Sequence, residues 1–264
     1  MKKIAIVMTY FNRQYQLDRT LLSLSLSKYK NFEVIVVDDS SDTPPKIGKH
    51  PYPVTVLRTK NKTWNNPEPA YNIGIDFALK SNPDIIILQN AECYHVGDVI
   101  SYASGVTEEL YITFGCYSID QQKTFNKLDG DILFTNNKGA SHDGENAWYN
   151  HPVYRPVAYE FCAAITANNI RLLNGYDERL SFGCGYGDDY LLYRIRLLCL
   201  KVEITQKPFV VHQWHYNIAV PPNKADLVAT NKMLFDNLKR KMQIKAERLF
   251  PFEYEHITTV INKL

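Results

Sequence analysis

Long hydrophobic runs are missing from this 264-residue chain. No stretch reaches the ~18 apolar residues of a membrane-spanning helix, so nothing in it is expected to cross a bilayer, although peripheral membrane contact stays open. An excess of one charge is also missing. The 30 Lys and Arg face 28 Asp and Glu, a formal net charge of +2. That balance lacks the electrostatic footprint of a dedicated nucleic-acid binder. The five cysteines, Cys93, Cys116, Cys162, Cys184 and Cys199, form no CxxC pair and are odd in number. Free, mostly buried thiols in a reducing compartment are the expectation. Residues 1–8 carry no long apolar h-region and no small-residue cleavage site, so no signal peptide is expected. The expected location is the cytoplasm or the inner face of a membrane. Internal repeats and low-complexity tracts are absent.

What is present is an ordinary globular composition, 45% hydrophobic and 22% charged, enough for a sizeable core. Residues 4–8, 32–37, 54–57 and 84–88 are short apolar runs that read as buried strands. Between them, residues 13–27 space Leu17, Leu21 and Leu24 along one helical face, and residues 69–80 do the same with Ile73 and Phe77. This alternation predicts βαβ units and a mostly parallel, doubly wound α/β sheet with flanking helices. The second half is less regular. Residues 111–114, 158–166, 202–205 and 209–212 read as strands, 188–200 as a helix, and 118–156 as a long polar loop. Residues 224–249 read as a charged amphipathic helix or helix pair, giving a C-terminal helical segment.

Ligands of doubly wound sheets sit at the carboxyl ends of the strands. Three polar clusters fall at such ends: residues 9–13, Asp38–Ser41 with its paired acids, and Asn90-Ala91-Glu92. Their convergence on one crevice follows from the pattern alone.

Four motifs in order then become specific: Thr9-Tyr10-Phe11-Asn12-Arg13, Val36-Val37-Asp38-Asp39-Ser40-Ser41, Asn90-Ala91-Glu92 and Gly185-Tyr186-Gly187-Asp188-Asp189. Together they resemble the inverting family 2 glycosyltransferases of the GT-A fold. The resemblance spans residues 1–216, with 1–115 as a nucleotide-sugar-binding half and 116–216 as an acceptor-binding half. Residues 217–264 are a helical extension outside it. It implies a nucleotide-sugar donor, a carbohydrate or glycan-lipid acceptor, and no nucleic-acid partner.

The resemblance implies a nucleotide-binding set of Thr9, Tyr10, Asn12, Arg13, Asp38, Asp39, Asn72 and Asn90. A strand end turning into a helix offers backbone N–H groups to an anion, whereas the plainer reading has Thr9 or Asn12 capping the helix, a role that suits Asn12 equally well. An ionised carboxylate only accepts, so Asp38 or Asp39 selects donors such as an imide N–H of uracil or a ribose hydroxyl. A solvated turn is the plainer reading of that acidic pair, and the sequence does not choose between the two acids. Asn90-Ala91-Glu92 stands where the family has Asp-x-Asp, the motif that holds a divalent metal on the donor diphosphate. Asn90 replaces the first Asp and Glu92 the last, which retains one hard oxygen ligand. His212 or His215, after a late strand, is implied to complete the metal shell. A carboxylate with an imidazole favours Mn²⁺ over Mg²⁺.

Counting six residues back from Arg194 gives Asp188, the position of the family's general base. Asp189 is the neighbouring alternative, and Gly187 stands in place of the usual Glu. The plainer reading of Asp188 is a helix N-cap. Trp148, Tyr186 and Trp214 are candidate sugar platforms, as are Trp64 and Tyr149. Trp148, within its polar loop, is expected to face solvent and to belong to a lid. A second reading is a non-catalytic sugar-nucleotide-binding module, suggested by the altered metal motif. A third, a nucleotidyltransferase, is disfavoured because no glycine-rich loop with Arg and Lys follows the first strand.

Overall fold

The structure, a computed structural model, describes residues 1–126, 144–216 and 221–260. Strand β1 (Ile4–Tyr10) is buried on both faces. Ile4, Ile6, Met8 and Tyr10 point to one side, Ala5 and Val7 to the other. Helix α1 (Gln14–Ser25) lays Leu17, Leu21 and Leu24 on the first side. Helix α2 (Glu68–Leu79) lays Ala70, Ile73 and Ala78 on the second. Each buried Leu, Ile, Val or Met among them contributes about 1.5–3 kcal/mol. Close approach of α2 depends on Gly74, where a Cβ would lie 2.5 Å from Val7 Cγ1 and 2.9 Å from Val37 Cγ2.

Strands β2 (Phe32–Asp38), β3 (Val54–Thr59) and β4 (Ile85–Asn90) pair in parallel around β1 in the order β3-β2-β1-β4. This half matches the expected doubly wound pattern. Beyond it the chain builds β5 (Cys93–Val96), α3 (Val99–Ala103), β6 (Leu110–Ser118), α4 (Gln121–Phe125), β7 (Trp148–Asn150) and β8 (Cys162–Thr166). Helix α5 (Ala167–Leu173), a 3₁₀ turn (Glu178–Phe182), α6 (Gly187–Leu197), β9 (Lys201–His212), α7 (Lys224–Arg240) and β10 (Tyr254–Val260) follow. The sheet continues β4-β8-β6-β9-β5, with β7 on β6 and β10 on β3. Five of the nine described pairings are antiparallel, so the sheet is parallel in its first half and mixed beyond. Helices α5 and α6 cover the same face as α2 through Ile170, Leu173, Leu191 and Ile195.

Four local expectations are corrected. The two strands read at 202–205 and 209–212 are one strand, β9. Its register against β6 jumps from Thr205 to Phe209, and that bulge is the break seen in the sequence. The 118–156 loop holds α4 and β7, with 127–143 outside the described residues. Trp148 does not face solvent: it is 3% exposed, packed against Tyr117, His151 and Phe209. The C-terminal helix stops at Arg240, and β10 then joins the main sheet antiparallel to β3. Among the described residues no helix is long and apolar enough to cross a membrane.

Candidate active site

Register places the polar strand ends side by side. Tyr10 pairs with Asp38 across β1–β2, and Thr9 with Asn90 across β1–β4. The loops that follow are cross-tied. The Asp39 N–H donates to Tyr10 O at 2.8 Å, and the Asn12 N–H to Ser41 Oγ at 2.9 Å. Asn12 has a positive φ of 51° and precedes Arg13, the N-cap residue of α1, so it shapes the turn rather than capping the helix. The two acids separate in role. Asp38 is fully buried, accepts from the Ser41 N–H at 2.9 Å, and lies 3.5 Å from Arg58 Nη1. Burial pushes its carboxyl up, opposed by the Ser41 bonds and Arg58. Asp39 keeps 5% exposure and accepts from Lys62 Nζ at 2.6 Å and Trp64 Nε1 at 3.0 Å. Lys62 also lies over the Phe11 ring, 5.1 Å from its centroid.

Asn72 is a correction to the nucleotide set. Its amide nitrogen donates to Tyr176 O at 2.9 Å and Glu178 Oε1 at 2.7 Å, and its oxygen accepts from the Tyr176 N–H at 2.8 Å. With no exposed surface, it ties α2 to the chain before the 3₁₀ turn and offers nothing to a ligand.

Glu92, His212 and His215, far apart in sequence, converge within 4.8 Å of one another. The cause is the antiparallel pairing of Cys93 with His212, extended by the Gln213 N–H donating to Glu92 O at 3.1 Å. Buried Gln213 also donates to Gln16 O at 3.1 Å and Glu92 O at 2.9 Å, and the Trp214 N–H donates to Thr124 Oγ1 at 2.8 Å. These bonds fix the segment that carries both imidazoles. Glu92 Oε1 lies 3.2 Å from His212 Nε2, 3.7 Å from His215 Nε2 and 2.6 Å from Arg13 Nη1. Its other oxygen, Oε2, is buried without a hydrogen bond. Burial would raise the Glu92 carboxyl, but Arg13 and the two histidines outweigh it and hold it well below the usual carboxylate range. Burial lowers His215 to about 4, so its ring is neutral near pH 7. His215 Nδ1 lies 3.1 Å from Tyr216 O, which places the ring proton there and leaves a lone pair on Nε2. That lone pair facing a carboxylate oxygen is the arrangement a shared cation satisfies, so this donor set fits a divalent metal.

Across the crevice, α6 begins at Gly187 with left-handed Tyr186 (φ 65°) as its N-cap residue. Asp188 is therefore inside the first turn and is not the cap. Its side chain reaches solvent, although protein surrounds it densely at longer range. Desolvation by the surrounding protein raises its carboxyl, opposed by Glu160 and reinforced by the neighbouring Asp189. Asp189 accepts from Tyr159 Oη at 2.9 Å. Arg194 is fully buried, donating to Leu173 O at 2.9 Å and Gly175 O at 3.0 Å, and so anchors α6. Tyr186 packs on Phe235 of α7, with ring centroids 5.4 Å apart. Trp214 packs against Tyr216 at 4.6 Å and Phe125 at 6.3 Å, beside the histidines.

Two acids were not anticipated. Glu160 is 4% exposed, accepts from Tyr176 Oη at 2.9 Å and reaches Asp188. Burial and the nearby Asp188 push its carboxyl well up. Glu68 is 3% exposed and accepts from Asn66 Nδ2 at 3.2 Å and Ser181 Oγ at 3.4 Å. Burial pushes it up to about 8. Its Oε1 would stand 2.2 Å from a Cβ on Gly187, so it fills the space beside that glycine. Tyr71 joins the two sides of the crevice. Its hydroxyl donates to Asn90 Oδ1 at 2.8 Å, and its ring stacks at 4.8 Å on Tyr176, the partner of Glu160.

A parallel half-sheet with acidic carboxyl ends, a carboxylate–imidazole cluster and an acidic helix start across the crevice define the GT-A architecture. The chain belongs to glycosyl transferase family 2, whose family model matches residues 5–155. No curated protein matches it. Its fold is similar to that of Staphylococcus aureus TarS 1–349 in complex with UDP, at 12% identity and TM-score 0.56, covering 87% of this chain and 65% of that one. It is similar to the catalytic domain of Drosophila β1,4-galactosyltransferase 7 with xylobiose (14%, TM-score 0.54, 87% and 80% covered). It is also similar to the Pyrobaculum calidifontis mannosyltransferase PcManGT with GDP-Man and Mn²⁺ (14%, TM-score 0.52, 93% and 66% covered). The chain spans less than two thirds of the length of TarS 1–349, 60% in one structure and 65% in another.

Proposed function

We propose that this chain transfers a sugar from a UDP-linked nucleotide sugar to a carbohydrate hydroxyl, with inversion at the anomeric carbon. The observation that carries the reading is the continuous path from Asn90 through Tyr71, Tyr176 and Glu160 to Asp188, which joins the strand-end crevice to the acidic helix start. Asp39, the acid that keeps some exposure, is the contact for the base or ribose. Glu92, His212 and His215 would hold a divalent cation, which would supply charge neutralisation for the diphosphate. Asp188 accepts the acceptor's proton while the acceptor oxygen bonds to the anomeric carbon. The bond from that carbon to the diphosphate oxygen breaks, and UDP departs with the electron pair. Burial and the neighbouring Asp188 push the Glu160 carboxyl up, toward its neutral form, and Glu160 in turn favours the ionised form of Asp188. The UDP complex of TarS and the xylobiose complex of the Drosophila enzyme support this choice of donor and acceptor.

The test is Asp188→Asn, which preserves size but removes basicity. UDP release from a panel of UDP-sugars, with oligosaccharide acceptors and Mn²⁺, should fall roughly 10²-fold or more while UDP binding persists. Rates within a few-fold of the unmodified protein would remove Asp188 from the reaction, with Asp189→Asn as the control for a shift of one residue. No UDP release from any donor would favour the non-catalytic binding module.

A further inference from the structure

Glu92 Oε1 has three side chains within 3.7 Å, Arg13, His212 and His215, while Oε2 is buried and bonded to nothing. A carboxylate oxygen offers about two lone-pair directions. A cation seated between Oε1 and the two imidazole nitrogens would share that oxygen with the Arg13 guanidinium, 2.6 Å away, and the two positive charges would repel. We propose that Arg13 is a built-in counter-cation of this cluster, holding Glu92 until a divalent metal displaces it and then binding the diphosphate of the donor.

The inference rests on the metal reading above. Arg13 is placed for both tasks. It follows the β1 strand end beside Asn90, it is the N-cap residue of α1, and its side chain keeps 26% exposure while pairing with a buried carboxylate. A guanidinium fork matches phosphate oxygens in two parallel hydrogen bonds. Displacement by the metal frees a cation at the place where the diphosphate arrives, so metal and nucleotide strengthen each other's binding. Without metal, the Arg13–Glu92 pair neutralises an otherwise uncompensated buried carboxylate.

Mn²⁺ binding to the full chain, measured by calorimetry with and without UDP, tests this. Arg13→Ala, and Arg13→Gln as a variant that keeps the side-chain stem, remove the competitor. Without nucleotide both variants should bind Mn²⁺ roughly tenfold tighter than the unmodified protein, the scale of one lost charge-assisted bond. UDP should tighten Mn²⁺ by a larger factor in the unmodified protein than in either variant. Equal or weaker Mn²⁺ binding by folded variants would show that Arg13 supports Glu92 rather than competing for it, and would overturn the inference alone. Absence of Mn²⁺ binding in all three proteins would overturn the metal reading and this inference with it.

Discussion

Burial keeps Glu68 protonated against the hydrogen bonds that Asn66 and Ser181 donate to it, which favour its ionised form. Its folded-state value of about 8, against an ordinary 4.5, has a defined consequence for stability. The native protein binds a proton that the unfolded chain gives up above 4.5. Stability from this group is thus fully present below about 4.5 and is lost as pH rises through about 8. Glu68→Gln keeps the shape and cannot ionise. Urea denaturation should find little difference between the two proteins at pH 4, and the variant more stable by at least about 1 kcal/mol at pH 8, since one pH unit of displacement is worth about 1.4 kcal/mol. Identical pH profiles would mean that Glu68 ionises freely in the native state. Asp188 and Glu92 could be placed from the sequence because each sits at a recognisable strand or helix end. Glu68 and Glu160 could not. Their importance comes from proximity to Asp188, and each arrives there on a different element.

Among the elements, the glycine-rich turn before α6 shows how the acidic helix start is held. Asn231 of α7 donates to Leu180 O and Gly185 O, both at 2.8 Å, and Asn66 donates to Gly185 O at 3.0 Å. A Cβ on Gly183 would lie 2.1 Å from Asn231 Oδ1 and 2.8 Å from the Leu227 carbonyl, so the turn and α7 interlock. A Cβ on Gly185 would meet nothing within 4 Å, although its φ of +71° is left-handed. Gly183→Ala should therefore cost about 2 kcal/mol or more, through overpacking against backbone. Gly185→Ala should cost about 1 kcal/mol, through backbone strain alone. Equal costs in chemical denaturation would disprove the interlock. The sequence marked these glycines as permitting close approach but not what approaches. Helix α7 lies outside the family resemblance, and nothing local in it points to the turn. The same limit hid β10, whose Ile257-Thr258-Thr259-Val260 run is β-branched but short, and gains its meaning only beside β3.

At the scale of the whole molecule, the crevice lies where the parallel half of the sheet meets the mixed half. The order of the first half was readable because short apolar strands alternating with helices admit few topologies. The antiparallel insertion of β8 beside β4 was not, and it is this insertion that brings Glu160 to the carboxyl end of the parallel strands. The proposed metal ligands also span the two halves: Glu92 follows β4, while both histidines come from the end of β9. A cation there would add to the β5–β9 pairing and the Gln213 bonds that already join these segments, and because it binds only the folded chain its effect should register in global stability. With UDP and Mn²⁺ each near a hundred times its dissociation constant, the melting temperature should rise by roughly 5–10 °C, from about 2.7 kcal/mol per saturating ligand. His212→Ala should lose most of the Mn²⁺-dependent part and keep the part due to UDP alone, because Asp39, Lys62 and Phe11 lie on the other side of β1. Asp39→Asn should do the reverse. If both variants lost both parts equally, the nucleotide and metal sites would not be separable, and the assignment of one to the β2 end and the other to the β9 end would be wrong.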